Sequence, residues 1–377
     1  MIYNDFQGIK LSAIGMGCMR LPVIDADFTK VDIDSVRDMV DYAMKNGINY
    51  YDTAWPYHGG ESEKSMGLVL NDYPRESFYL ATKFPGFDLN NMSRVKEIFE
   101  EQLSRLRVDY FDFYLFHNVN ESNIDAYLDP KYGILDYLLE QKKNGRIRHL
   151  GFSTHGAIET VKRFLDAYGK HMEFCQIQLN WLDYKMQNAK AKVDLLNELN
   201  IPIWVMEPLR GGKLVDIGDE YSAELLKLRP EATLVEWAFR YIQSIHGVTV
   251  TLSGMSDMAQ LKDNIRIFAE SNPLNDNERE KLYNVARDMT AKLTLPCTGC
   301  RYCTENCPME LNIPKIIELY NDYIYSGGGF IAPMVIKSLP DKKKPSACVG
   351  CRSCEAVCPQ NIKISEMMTD FTSRLSK

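Results

Sequence analysis

Eight of the ten cysteines in this chain fall after residue 296, in two runs of identical spacing. Cys297, Cys300, Cys303 and Cys307 precede Pro308, and Cys348, Cys351, Cys354 and Cys358 precede Pro359. Only Cys18 and Cys175 lie in the first three quarters of the 377 residues. In a reducing compartment such clustering points to metal rather than to disulfides. Three thiolates at steps of three residues can curl round one face of a compact metal centre, which then needs a further ligand from elsewhere. Zinc also takes four thiolates, but its modules typically use paired C-x2-C hooks, not a triple followed by a fourth cysteine and a proline.

This tail resembles a dicluster ferredoxin. The resemblance implies two 4Fe-4S clusters in which the fourth cysteine of each run serves the other cluster. Cys297, Cys300 and Cys303 would then share a cluster with Cys358, and Cys348, Cys351 and Cys354 with Cys307. The interval between the runs, some forty residues including IIELYNDYIYSGGGF and PDKKKPSAC, exceeds that of a compact ferredoxin. The insert is expected to dock on the rest of the chain or to cover a site. Within it, Gly327, Gly328 and Gly329 read as a flexible turn, and Lys342, Lys343 and Lys344 as a solvated linker.

Upstream, short apolar runs alternate with amphipathic stretches: YYDTA then EKSMGLVL, FYLATKF then VKEIFEEQLSRL, FDFYLF then ILDYLLEQKK. The alternation continues through HLGFS, FCQIQLN, IPIWVM and GVTVTLSG, giving about eight units once a strand near Ala13 to Met16 is included. Eight such units predict a (β/α)8 TIM barrel, followed by a small α+β ferredoxin-like domain. The expected divisions are 1–272 for the barrel, 273–295 for a linking helix and 296–377 for the cluster domain. In that helix Leu282, Val285 and Met289 share one face. A chain that is 45% hydrophobic can bury one large core and a smaller one.

Polar residues close the predicted strands: Asp52, Lys83, His117, Ser153 and Gln178, each 25 to 36 residues beyond the last. In a barrel such ends converge on one mouth, where barrel enzymes keep their chemistry. With these motifs in order, DTAWPYHGGESEKSMG, LATKF, LRVDYFDFYLFH and NGRIRHLGFS, residues 5 to about 270 resemble the aldo-keto reductases. The resemblance implies a catalytic tetrad of Asp52, Tyr57, Lys83 and His117. Tyr57 would be the general acid, Lys83 would stabilise its phenolate, Asp52 would keep Lys83 charged, and His117 would orient the carbonyl. It also implies NADP or NAD as cofactor. Ser153 and Gln178 match the positions that hold the nicotinamide amide, and MEPLRGGKL, with Met206 and Leu209, matches the loop after the seventh strand. Met206 replaces an aromatic residue common there. SGMSDMAQLKDNI matches the adenosine-phosphate segment, keeping Asp263 and Asn264 but placing Gly254 and Gln260 where basic residues commonly grip the 2′-phosphate. Arg210 and Arg266 are the basic residues available to compensate, the latter reading rather as a solvated surface arginine.

A net charge of -7 argues against a nucleic-acid partner, which needs a basic face. No stretch reaches the roughly 18 apolar residues of a membrane span, and the opening MIYNDFQGIK has no apolar signal core. A soluble cytoplasmic protein is expected. Its partners would be a small carbonyl or alcohol and a ferredoxin or other redox protein. Nicotinamide moves two electrons as hydride and each cluster one, so a flavin between them stays open. Two further readings survive: an electron-transfer module whose barrel docks a flavin or redox partner, and clusters that serve only to hold the tail folded.

Overall fold

The computed structural model describes residues 1–291, 294–297 and 299–376. Its first two strands, β1 (Tyr3–Phe6) and β2 (Ile9–Ser12), form an antiparallel hairpin. Eight parallel strands then close a barrel: β3 (Ile14–Gly17), β4 (Tyr50–Asp52), β5 (Tyr79–Phe84), β6 (Phe111–Val119), β7 (Ile147–Thr154), β8 (Cys175–Gln178), β9 (Ile203–Met206) and β10 (Val248–Ser253). They pair in chain order, and β10 returns to pair with β3. Strands such as YLATKF and FDFYLF are buried almost throughout, as strands covered on both faces must be.

Eight principal helices alternate with these strands: α1 (Ile33–Lys45), α2 (Glu61–Leu70), α3 (Val95–Leu106), α4 (Ile134–Lys143), α5 (Ile158–Tyr168), α6 (Ala189–Glu198), α7 (Leu234–Gln243) and α8 (Met258–Ile267). In α1 the buried Val36, Met39, Val40 and Ala43 follow the helical period, and Asp32 caps the start by accepting from the Ser35 amide. The N-terminal hairpin, which periodicity did not reveal, plugs one end of the barrel. Phe6 packs within 5.7 Å of Phe113 and 5.1 Å of Trp204, in a core that also holds Leu11, Tyr50 and Phe174. The opposite end, at the strand C-termini, is the face where barrel enzymes keep their chemistry.

The expected linking helix is α9 (Asp276–Ala291), and it packs on the barrel. Leu282, Val285 and Met289 join the barrel core, and Arg229 grips Glu278 with bonds of 2.6 and 3.0 Å. Beyond it lies a smaller core built from α10 (Ile313–Ser326), α11 (Ile331–Ser338) and α12 (Ile364–Leu375). Gly327 ends α10 in the left-handed conformation, φ +64°, that a helix C-terminus favours. The lysine run is more than a solvated linker. Lys343 donates to the Glu310 carbonyl at 3.0 Å and carboxylate at 2.9 Å, and Lys344 pairs with Asp341, because each amine finds an acceptor within reach.

The insert docks on the barrel mouth. Asp322 of α10 accepts from Arg210 (2.6 Å) and Gln187 (2.9 Å), Lys213 donates to the Ser326 carbonyl, and Asn118 donates to the sulfur of Met334 at 3.6 Å. Among the described residues no helix is long and apolar enough to cross a membrane.

Candidate active site

Strand β4 delivers Asp52 and β5 delivers Lys83, two residues beyond its register partner Ala81, to the mouth. Lys83 Nζ donates to Asp52 Oδ1 at 2.6 Å and to the Thr53 carbonyl at 2.7 Å, with the ammonium fully buried. Tyr57 opens the turn after β4, and Lys83 Nζ lies 5.1 Å from its ring centre. The His117 ring stands edge-on to Tyr57 at 6.2 Å and is flanked by Phe87 at 5.3 Å. Neighbouring His58 holds the turn in place from φ +55°. Its Nε2 accepts from the Leu21 amide at 3.1 Å, so its Nδ1 donates to the Phe28 carbonyl at 2.7 Å. The sequence reading passed over His58, although its place beside Tyr57 in YHGG was the available signal.

Burial dominates the electrostatics. It raises the Tyr57 pKa above the usual phenol value, and the Lys83 charge offsets only part of that rise. Burial likewise raises Asp52 against the pull of Lys83. Lys83 itself is pushed down by burial, but Asp52 and then Tyr57 outweigh this, and the net shift is upward. Burial, with the nearby Lys83 and His155, drives His117 well below the imidazole range. At neutral pH the mouth therefore holds a protonated phenol beside an ammonium and a neutral imidazole.

The remaining sequence-derived positions gather along the rim from β7 to β10. Ser153 Oγ accepts from the Asn118 amide at 2.8 Å. Both ends of the Gln178 amide are engaged, by His155 at 3.1 Å and Asp183 at 2.7 Å. The Met206 sulfur accepts from Gln176 at 3.7 Å, and Leu209 is half-buried at the head of the following turn. Asn264 donates to Ser253 at 3.0 Å, while Gln260 sits exposed in the first turn of α8. Arg210 is committed to Asp183 and Asp322, and Arg266 to Asp263 and Glu236. Arg20, a residue the sequence reading missed, lies between the loops after β9 and β10. A side chain at Gly254 would meet its stem at 3.1 Å, and one at Gly211 would meet its guanidinium at 3.1 Å.

Two observations test whether a dinucleotide fits here. Asp52 Oδ2, His117 Nδ1, Asn118 Oδ1 and Gln176 Oε1 are buried near the mouth without a hydrogen-bond partner among the described residues. The loops after the seventh and eighth barrel strands, the usual phosphate-binding loops of this fold, carry glycines beside an arginine. The orphaned amide oxygens of Asn118 and Gln176 can accept from an amide N–H, and Arg20 with the glycine loops can donate to a phosphate.

Comparison with known proteins agrees with this geometry. The sequence profile of the Aldo/keto reductase family matches residues 13–286. The chain belongs to the aldo/keto reductase family. Residues 296–363 match a 4Fe-4S dicluster domain. Relatives include L-galactose dehydrogenase of Arabidopsis thaliana, 28% identical over 286 residues that make up 70% of this chain and 86% of that protein. The Glycine max protein called probable aldo-keto reductase 1 is 29% identical over 214 residues, 55% of this chain, and the match spans only 58% of the soybean protein. Among solved structures, aldo-keto reductase AKR11C1 from Bacillus halodurans in its holo form superposes with a TM-score of 0.61 at 25% identity, covering 76% of this chain and 96% of that one.

In the dicluster domain the cysteines gather by exchange between the runs. One cavity is lined by Cys297, Cys300, Cys303 and Cys358, the other by Cys307, Cys348, Cys351 and Cys354. The Leu311 amide donates to Cys307 Sγ at 3.5 Å. Each cavity thus draws four thiols from both runs, the number of thiolates that a 4Fe-4S cluster takes.

Proposed function

We propose that the barrel moves hydride between a nicotinamide dinucleotide, NADP or NAD, and a small carbonyl or alcohol, and that two 4Fe-4S clusters link this site to a one-electron partner such as a ferredoxin. The observation that carries the first half is the buried Lys83 and Asp52 pair under the Tyr57 ring, with His117 at its edge. When bound, the dinucleotide supplies hydride and each cluster carries one electron. Tyr57 keeps its proton at neutral pH and donates it to the oxygen of the carbonyl. Lys83 lowers the cost of the phenolate left behind, and Asp52 keeps Lys83 charged in a site that water does not reach. Neutral His117 orients the carbonyl oxygen. Ser153 lines the nicotinamide end with Gln178 and with Gln176, whose carbonyl lacks a partner among the described residues, and Met206 and Leu209 stand beside it. Arg20, Gly254, Gln260 and Asn264 flank the phosphates. The exchanged cysteine sets hold the clusters, as their shared cavities support.

Tyr57→Phe tests the barrel chemistry: dinucleotide binding should stay within about twofold of wild type while carbonyl reduction falls by three orders of magnitude or more, and retained turnover would refute the assignment. The electrical link is tested on protein purified without oxygen and assayed for iron, sulfide and flavin. Added NADPH or NADH should bleach the cluster absorbance. Turnover of an aldehyde with no bleaching by either nucleotide would break the link. Flavin content matters because hydride brings two electrons and each cluster accepts one.

A further inference from the structure

The two cysteine cavities differ in what surrounds them. Along α10, Ile313 lines the second cavity, Pro314 and Ile317 line the first, and Leu319 and Asp322 line a cleft shared with His155 and Gly156 of the barrel. At the rise of an α-helix, about 7.5 Å separates Ile317 from Asp322 along the axis. Asn321 ties the approach to the first run to the same helix. Its amide accepts from the Leu295 N–H at 2.8 Å and donates to the Leu295 carbonyl at 2.9 Å. The first cavity is thus next to the barrel along α10, and the second lies beyond it.

The second run also carries charge of the opposite sign to the whole chain. The net charge is -7, yet residues 341–366 hold five cations, Lys342, Lys343, Lys344, Arg352 and Lys363, against three carboxylates. Residues 296–312, around the first run, hold one cation and two carboxylates. Asp341 pairs with Lys344, and Glu355 accepts from the Ser365 amide at 2.8 Å and hydroxyl at 2.5 Å. Lys343 donates to the carbonyl of Met309, which lines the second cavity. Lys342, Arg352 and Lys363 are exposed and form no ion pair among the described residues. Arg352 lines the second cavity, Lys363 precedes its lining residue Ile364, and both stand near enough to act on the one Glu355 carboxylate. On the same rim Val349 is 63% exposed, and Cys351 is exposed beside it. An exposed aliphatic side chain with unpaired cations around it offers a small apolar contact and a charge that steers a partner of opposite sign.

We propose that the second cysteine run is the outward electrical port, where Val349, Arg352, Lys342 and Lys363 dock an acidic one-electron carrier protein over the cluster of Cys307, Cys348, Cys351 and Cys354. The first cluster stands between this port and the barrel. This rests on the reading that the clusters exchange electrons with a one-electron partner. At each encounter one electron leaves the reduced cluster for the oxidised carrier; no bond forms or breaks and no proton moves.

The test uses the full holoprotein, reduced with dithionite and freed of it by gel filtration without oxygen, so that hydride chemistry plays no part. Stopped-flow absorbance follows its oxidation by plant plastocyanin, an acidic one-electron carrier, and by cytochrome c, a basic one. At low salt Lys342→Glu/Lys363→Glu should slow transfer to plastocyanin about tenfold and quicken transfer to cytochrome c, as charges on an interface rim do. Both differences should shrink as salt rises, with iron and sulfide content unchanged. Lys342→Gln/Lys363→Gln should fall between this variant and wild type, which guards against a fold defect peculiar to the reversal. Glu305→Lys, an exposed site on the first run, should leave both rates within twofold. If both carriers oxidise the wild type but the lysine variants stay within twofold of it, or if Glu305→Lys moves the rates further than they do, the port is misplaced and the proposal is overturned. Duplex DNA bound more tightly than plastocyanin at the same salt would overturn the choice of partner. If neither carrier oxidises the reduced wild type, the electron-transfer reading itself fails, and this inference with it.

Discussion

Removing Lys83 would leave Asp52 as an unpaired carboxylate in a buried place, with its Oδ2 already lacking a partner among the described residues. Breaking a buried pair from one side costs about 3–5 kcal/mol, so Lys83→Met should destabilise by that order in urea unfolding. Burial already raises the Asp52 pKa, so its charged form is the costly one in the folded state. The loss should therefore be larger at pH 8 than at pH 5, and Asp52→Asn/Lys83→Met should recover stability without recovering activity. Glu207 permits a separate pH test. Burial, assisted by Asp183, raises its pKa from 4.5 to about 7, so the folded state binds the proton more tightly than the unfolded one. Folded stability is then lost as pH rises from 4.5 to about 7. The Tm of Glu207→Gln relative to wild type should climb between pH 5 and pH 8, and a constant difference would show that Glu207 does not titrate in this window.

At the scale of elements, α9 belongs to the barrel in packing although it stands next to the cluster domain in sequence. Leu282→Ala, at a fully buried position in the barrel core, should cost about 2–5 kcal/mol. The loss should appear in the barrel's unfolding transition, followed by tryptophan fluorescence since all four tryptophans, Trp55, Trp181, Trp204 and Trp237, are in the barrel, with iron content unchanged. The apolar face of α9 was legible because Leu282, Val285 and Met289 keep the helical period. The strand ends were legible for a similar reason: Asp52, Lys83, His117, Ser153 and Gln178 recur at βα intervals, and a parallel barrel brings them together whatever the loops do. What covers them was not legible. Arg210 and Asp322 are 112 residues apart and Asn118 and Met334 216, so no local pattern carries either contact. Nothing local distinguishes an arginine that grips a phosphate from one held by two buried carboxylates. The N-terminal hairpin escaped for another reason: its strands are four residues each, too short for an alternating pattern to stand out.

The two cores differ in what sustains them. The barrel closes on itself and is plugged by the hairpin, whereas the domain after residue 296 gathers a small set of buried apolar residues, among them Cys303 and Cys354. A unit of about eighty residues with so modest a core usually needs a covalent or metal staple. Each cavity takes cysteines from both runs, so a filled cavity would tie the segment around residue 300 to the segment around residue 350. Because metal binding free energy becomes folding free energy, stripping iron with a chelator under reducing conditions should loosen this domain and leave the barrel folded. Limited proteolysis should then cut first between residues 294 and 376 and accumulate a barrel fragment that retains α9. Far-UV circular dichroism should show loss of helix from α10, α11 and α12 without loss of the barrel transition. An iron-free chain as resistant to protease as the holoprotein would show that the small core stands without its clusters, and would leave electron transfer as the reason for carrying them.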